Sequence, residues 1–163
     1  MSESKCPICG EGTLTSRRET RRYGRGIDVT LMNVTVRHCP ACGEEFVVIP
    51  AMEALHRTIA HELAKSLARL SPGEVRFLRT YLGYSSTDFA RLIGVSLESV
   101  SRWESERTSQ RMSTTVERFL RLMVLQGKPV ESYGLEETAA EDAPERTPLR
   151  FGAGARGWEA VVA

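Results

Sequence analysis

Long apolar segments are missing from this 163-residue chain. The longest uncharged apolar run, Phe46 to Met52, has seven residues, whereas a helix that spans a bilayer needs about 20. The N-terminal stretch "MSESKCPICG" lacks the basic start and apolar core of a signal peptide. We therefore expect no membrane partner and a cytoplasmic location.

Histidines are scarce, and their positions do not favour catalysis. His56 and His61 are five residues apart, which does not place them on one helix face, and "HELAK" lacks the second histidine of H-E-x-x-H. No Ser/His/Asp set, phosphate-cradling glycine loop or pair of flanking carboxylates can be assigned in the sequence. The sequence therefore predicts a protein that is not an enzyme and has no catalytic residues.

Cysteine is absent after residue 42, and the four cysteines form two C-x-x-C pairs, Cys6 with Cys9 and Cys39 with Cys42. In a cytosolic chain such pairs indicate metal or redox chemistry rather than structural disulfides. Two pairs in nearly the same frame, "CPICG" and "CPACG", favour the closed four-thiolate site of one structural Zn²⁺. A thioredoxin-like redox site would need one pair beside a βαβ pattern, which is missing. His38 is a competing ligand, although an exposed strand residue is the simpler interpretation.

Charge is distributed unevenly behind the net value of +1. Residues 71–128 carry 9 basic and 6 acidic side chains, whereas residues 129–163 carry 3 and 7. The acidic, proline-containing stretch "EETAAEDAPERTP" has too few apolar residues to form a core. We therefore predict that residues 129–163 are an acidic, disordered tail, in which Phe151 and Trp158 are the residues able to dock.

The first block, residues 1–49, has the alternation of β structure. "IDVTL" and "VTV" alternate apolar and polar residues, but the phase slips at Met32 and Asn33, which predicts a bulge or strand break there. "YGRG" predicts a hairpin turn. The arginine-rich "RRETRRYGR" is either a solvated strand face or an edge that meets an acidic partner or the DNA backbone.

Helical periodicity begins after Pro50. Apolar residues recur three or four apart from Met52 to Leu67, which predicts a connecting helix over residues 50–70. A capping box at Ser71 and Glu74 then opens a run of four short helices that ends at Gly127. The predicted fold class is α+β: a small zinc-bound β domain at residues 1–49, followed by an all-α helix-turn-helix DNA-binding domain at residues 71–128.

Residues 86–105, "STDFARLIGVSLESVSRWES", have the spacing of a helix-turn-helix. Ala90 is small where two helices must cross closely, and Gly94 lies at the break between them, where a positive φ favours glycine. Burial of Val100 and Trp103 would turn the opposite face of the second helix outward. That helix would then present its N-terminal half to a major groove.

Three outward side chains on this helix fit base edges. Arg102 can fork onto guanine, Glu98 can accept from cytosine N4, and Leu97 can contact a thymine methyl. Serine hydroxyls and nearby arginines suit phosphates; the predicted phosphate contacts are Ser86, Ser96, Ser101, Arg107 and Arg111. The alternative without a DNA-binding function is a helical bundle in which the helix-turn-helix spacing occurs by chance.

The two cysteine frames, "LSPGEVRFLRTYLG", "TDFARLIGVS" and "VSRWE" together resemble the MqsA/YgiT-type antitoxin family over residues 5–126. The resemblance implies an N-terminal zinc finger joined to an Xre/Cro-type helix-turn-helix domain, which forms a homodimer and binds double-stranded DNA at a palindromic operator. It further implies a ribonuclease toxin gripped by the zinc domain and repression of the protein's own operon. On this template the four cysteines are the zinc ligands, and Glu98 and Arg102 fall at base-reading positions.

The sequence departs from the family pattern at three places. Ser86 stands where such domains often have a phosphate-contacting glutamine, "WESERTS" lacks the glycine usual after "WE", and the acidic tail is extra. Two other functions stay open. One is a stand-alone regulator without a toxin that senses zinc or oxidants, and the other is an interaction protein with a vestigial helix-turn-helix.

Overall fold

An antiparallel sheet is followed by five helices in the first of two units, Met1–Pro129, and Val130–Ala163 forms the second. The computed structural model describes residues 4–108, 110–127, 150–154 and 157–161. Within these residues the first unit is an α+β fold, as predicted. None of the described helices is long and apolar enough to cross a membrane.

The sheet has the strand order β1–β2–β3, with the strands at Thr15–Tyr23, Val29–His38 and Glu45–Val48. Gly24 and Gly26 lie in the β1–β2 turn, each with a φ of 75°, so the hairpin turn predicted at "YGRG" is confirmed. The register shifts between Glu19 and Arg21, and Asn33 opposite adopts a φ of 57°. The predicted bulge at Met32 and Asn33 is therefore confirmed.

Helix α1 (Met52–Lys65) ends five residues before the predicted boundary at residue 70. Arg121 explains the early end, because its Nη1 donates to the carbonyls of Leu63 and Ala64, at 3.0 and 3.2 Å, and to that of Ser66. These carbonyls would otherwise accept the hydrogen bonds of a further helical turn. Leu67, predicted to extend the apolar stripe, is fully exposed beyond the helix end.

The next four helices share the same type of N-terminal cap. They are α2 (Pro72–Tyr81), α3 (Ser86–Leu92), α4 (Leu97–Trp103) and α5 (Thr114–Gln126). Each begins after a serine whose side-chain oxygen accepts the backbone N–H three residues on; these serines are Ser71, Ser85, Ser96 and Ser113. Such caps satisfy backbone donors that a short helix leaves unpaired. The predicted capping box at Ser71 and Glu74 is confirmed.

The helices enclose one apolar core. Its fully buried side chains are Leu78, Phe89, Val100, Leu120 and Val124. They come from α2, α3, α4 and α5, so each helix contributes its apolar face to a common interior. The exposed faces of α3 and α4 therefore carry mostly polar residues, with Leu97 of α4 as an apolar exception.

The sheet contacts the helices through the β1–β2 hairpin. The Tyr23 hydroxyl lies 2.6 Å from Nε2 of His56 on α1, and the Ser71 hydroxyl donates to the carbonyl of Gly26 at 3.4 Å. Gly73 lies so close to Gly26 that a Cβ at residue 73 would overlap its carbonyl group. The hairpin therefore rests directly on the first turn of α2.

The second unit contains a hairpin of β4 (Arg150–Gly154) and β5 (Gly157–Val161), paired antiparallel. These ten residues lie within the segment 129–163, which the sequence predicted to be a disordered tail. Glycines within "GAGARG" suit a tight turn, and β-favouring residues flank it, so local pairing is possible without a large core. The rest of that predicted tail lies outside the described residues.

Candidate metal centre and candidate nucleic-acid interface

Two matching turns carry the four cysteines. The Cys6 carbonyl accepts the N–H of Gly10 at 2.9 Å, and the Cys39 carbonyl accepts the N–H of Gly43 at 2.8 Å. Both glycines have a positive φ, 73° and 76°, which a side chain would disfavour. The same local structure thus presents both C-x-x-C pairs, with the second at the end of β2.

The four sulfurs converge on one point between the turns. Cys6 lies 3.7 Å from Cys42 and Cys9 lies 3.7 Å from Cys39, measured between Sγ atoms, and all four sulfurs lie within 4.8 Å of one another. A tetrahedral ion with metal–sulfur bonds of about 2.3 Å separates its sulfurs by about 3.8 Å. The four cysteines therefore have the spacing needed to hold a metal ion.

The electrostatics of this cluster also favour a cation. Backbone N–H groups of Gly12 and Glu11 lower the pKa of Cys9 to about 6. The Glu44 N–H favours the Cys42 thiolate, but hydrogen bonds with the other three thiols and partial desolvation outweigh it and raise the pKa of Cys42 to about 12. Four thiolates cannot coexist at this spacing without a compensating positive charge, which a bound divalent ion supplies.

The surroundings of the cluster are tightly packed on one side. Cys6 and Cys39 are buried, and a Cβ on Gly12 would approach Cys39 Sγ to 2.5 Å. Cys42 is exposed. Among the described residues His38 is not part of this group, so the competing-ligand interpretation gains no support.

Helices α3 and α4 are joined by a short, tightly bonded turn. Gly94 has a φ of 67°, and the N–H of Val95 donates to the carbonyl of Ala90 at 3.0 Å. Ala90 is buried, as are Val100 and Trp103 on α4. The predicted burial of Val100 and Trp103 is therefore confirmed.

The outer face of α4 carries the predicted base-reading residues. Glu98 and Arg102 are exposed one turn apart, and Leu97 is 46% exposed. Arg102 has one long contact, 3.5 Å from Nη1 to Oε1 of Gln110. These three side chains share one exposed helix face and are available to a ligand.

Glu98 is held in its ionised form. Its own backbone N–H, the Ser96 hydroxyl and the charge of Arg102 together keep the pKa of its carboxyl below the usual value. An ionised carboxylate accepts hydrogen bonds and cannot donate them. At neutral pH this position therefore offers an acceptor beside the donor fork of Arg102.

The predicted phosphate contacts are spread more widely. Ser101 is exposed on α4, whereas Ser96 caps that helix and Ser86 is half-buried in the first turn of α3. Arg107 and Ser101 line an open cavity of about 460 Å³ with Arg25, from the arginine-rich strand segment, and Arg76, which the sequence did not single out. Exposed Arg111 lines a separate cavity of about 360 Å³. The five residues therefore do not form one cluster.

A buried ion pair that the sequence analysis missed fixes the end of α4. Arg79 donates to both carboxylate oxygens of Glu104, at 2.6 and 3.0 Å, and to the Tyr84 carbonyl at 2.6 Å. Arg76 donates to the Glu104 backbone carbonyl at 2.7 Å. Glu104 therefore ties the last turn of α4 to α2, and its place after a buried tryptophan was the available signal.

These elements define an α+β protein with a four-cysteine cluster beside a small sheet, a candidate metal-binding protein. A family model described as the antitoxin component of a bacterial toxin–antitoxin system, MqsA, matches residues 4–129. The chain belongs to this family, as its motifs predicted. The match takes in the cysteines, the sheet and all five helices, and it ends before the β4–β5 hairpin. No curated protein and no solved structure matches the chain.

Proposed function

We propose that this chain is a DNA-binding antitoxin that represses its own operon and neutralises a ribonuclease toxin in the cytoplasm. The observation that carries the proposal is membership of the antitoxin family over a segment that includes an exposed Glu98–Arg102 face on α4. Such a role is non-catalytic. The four free thiols suit a reducing compartment.

In this proposal α3 and α4 are the helix-turn-helix of a DNA-binding domain at residues 71–128. Support comes from the buried anchors of α4, the glycine turn at residue 94 and the ion pair that fixes Glu104. A recognition helix must keep a fixed orientation relative to the protein core when it lies in the major groove. The two hydrogen bonds from Arg79 supply that rigidity.

The base contacts follow from the chemistry of the exposed face. Arg102 reads guanine through O6 and N7, Glu98 accepts from cytosine N4, and Leu97 packs on a thymine methyl. Ser101 and Arg107 contact the phosphates that flank these bases. Ser86, Ser96 and Arg111 remain proposed phosphate contacts of lower geometric support, because the structure does not bring them to the same place.

One Zn²⁺ is the ion that best fits the four thiolates, since tetrahedral all-sulfur sites select zinc or iron. Cys6, Cys9, Cys39 and Cys42 would hold it. The site offers no open coordination position, so the ion would supply folding energy to residues 1–49 rather than hydrolytic chemistry.

A homodimer on a palindromic operator completes the proposal. Helix α5 leaves three large apolar side chains in partial contact with solvent, namely Phe119, Leu122 and Leu125, which are 36, 51 and 40% exposed. Their spacing of three residues places them along one side of the helix. Pairing of this side with a second copy would set two α4 helices on the two half-sites of an operator.

Arg102→Ala tests DNA reading. Fluorescence anisotropy with DNA from upstream of the chain's own gene should lose about 10-fold or more in affinity, and specificity over scrambled DNA should fall with it. Arg57→Ala is the matched control, because Arg57 is an exposed arginine on α1 and not on α4. Equal affinity of Arg102→Ala and the unaltered chain would overturn the assignment of α4 as the recognition helix.

A further inference from the structure

The arginines on the two faces of the sheet differ in their ion-pair partners. On one face, here called the closed face, Arg17 and Arg21 both bind Glu45, at 2.5 and 2.8 Å, and both pair with Glu19. These groups cover Val36, which is fully buried. The arginines of the closed face therefore have their counter-charges within the sheet.

The opposite face, here called the open face, is built by the alternate residues of the same strands. The strand register places on it Arg18, Arg22, Arg37, Phe46 and Val48. Alternation along β2 adds Met32, which follows the closed-face residue Leu31. All of these are exposed except Phe46, which is half-buried. No described element of the chain covers this face.

The open-face arginines lack carboxylate partners of comparable quality. Arg18 donates to the carbonyl of Asn33 at 2.8 Å, and Arg22 approaches Asp28 at 3.4 Å with both side chains 88% exposed. Among the described residues no carboxylate forms a salt bridge with Arg18 or Arg37. Three positive charges therefore stand on this face with almost no compensation.

Apolar side chains lie between these charges. Met32 is 75% exposed at the bulge, and Val48 is 36% exposed on the edge strand. Protein interfaces are enriched in arginine, methionine and aromatic residues. A surface built only for nucleic-acid phosphates would be more uniformly basic and polar, so the mixture on this face favours a protein partner.

We propose that the open face docks an acidic patch of a partner protein, with Arg18, Arg22 and Arg37 facing carboxylates and Met32 packing between them. The inference rests on the proposed function, in which that partner is the toxin of the pair. Beyond the proposed function, the inference names the surface that binds the toxin and predicts that the toxin carries an acidic patch. Because charge complementarity governs encounter, binding should weaken as salt rises.

The test pairs two charge reversals, Arg22→Glu and Arg37→Glu, in the full-length chain. The probe is the toxin encoded beside this chain, purified, with its affinity measured by calorimetry at low and moderate salt. We expect the dissociation constant to rise by at least about 30-fold, since two attractive contacts become repulsive. Arg57→Glu with Lys65→Glu makes the same charge change on exposed positions of α1 and should leave the constant within about threefold.

The results of these binding experiments distinguish the proposed antitoxin role from the proposed docking of the toxin on the open face. Unchanged toxin affinity for the Arg22/Arg37 variant, with circular dichroism and metal content intact, overturns the open face while leaving the antitoxin role in place. Loss of operator binding with toxin binding intact would reassign the face to nucleic acid and also overturn the proposal. Failure of the unaltered chain to bind the toxin would reject the proposed partner itself.

Discussion

Glu104 holds the C-terminal end of α4 against α2 through a buried ion pair. Its carboxylate and the Arg79 guanidinium are 6 and 10% exposed, and the pair is bidentate. Breaking a buried pair leaves one charge without compensation, which costs about 3–5 kcal/mol. We expect Glu104→Gln to lower the free energy of unfolding in urea by an amount in this range.

The comparison variant is Glu62→Gln, which removes an exposed partner of Lys65 at 3.7 Å. Exposed pairs contribute little, so this variant should unfold at nearly the same urea concentration as the unaltered chain. Equal midpoints for Glu104→Gln and Glu62→Gln would refute the structural role of Glu104.

Glu117 should make stability depend on acidity. Burial alone would raise the pKa of its carboxyl, but hydrogen bonds from Arg69, Arg121 and the Leu70 N–H outweigh burial and lower it. A carboxyl whose pKa is lower in the folded state stabilises the fold above its unfolded pKa, about 4.3. That stabilisation is lost as the pH falls through the folded pKa.

The measurement is the free energy of unfolding at pH 7 and pH 3. Glu117→Gln should be less stable than the unaltered chain at pH 7. The difference in stability should narrow at pH 3, because the carboxyl of the unfolded chain is then largely protonated and the lowered pKa of the folded state no longer gives its full stabilisation. A gap that is constant across this range would argue against the ionised form as the source of the stabilisation.

Individual residues also show which contacts could be predicted from the sequence and which could not. The capping box was predictable because Ser71 and Glu74 are three positions apart, and the bulge beside Asn33 was predictable because the apolar alternation slips there. The Arg79–Glu104 pair joins residues 25 apart, and no local spacing encodes such a partner. The same holds for the ion cluster around Glu45.

At the scale of elements, the β1–β2 hairpin rests on α2 through two glycines. A Cβ at Gly73 would overlap the Gly26 carbonyl group. We expect Gly73→Ala to push the hairpin turn away and to cost about 1–3 kcal/mol of stability, as overpacking does. The local readout is amide hydrogen exchange in residues 24–29, which should become faster.

Gly83→Ala serves as the control for that exchange experiment. Gly83 has a φ of 86° and open space around its Cα, so an added methyl strains the end of α2 without touching the hairpin. Exchange in residues 24–29 should then stay slow relative to global opening. Slow exchange in Gly73→Ala as well would contradict the packing of the hairpin on α2.

Element boundaries were predictable where a cap was local and failed where a distant group intervened. The capping box at Ser71 and Glu74 fixed the start of α2 in sequence. Helix α1 stops early because Arg121, more than fifty positions away, takes its last carbonyls. The β4–β5 hairpin was missed because composition averaged over a long acidic segment hides ten residues of β-forming sequence.

For the molecule as a whole, the metal should hold the sheet but not the helical core. The sheet's fully buried set includes Val36 and two cysteines, whereas the helices share a larger apolar interior. Removing the proposed zinc ion with a chelator should therefore expose the amides of residues 15–48 to exchange while helical circular dichroism persists. Loss of the helical signal at the same chelator concentration would show that the two parts fold as one unit.

The central claim, that this chain is the antitoxin of a pair, is tested most directly by its complex with the neighbouring toxin. The two proteins would be co-expressed, treated with nuclease and separated by size exclusion with light scattering. The account predicts a stable complex with one toxin per chain, formed by the Arg102→Ala variant as well, because α4 is proposed to read DNA and not the toxin. Elution of a folded, metal-loaded chain without toxin would contradict the account and favour a stand-alone regulator.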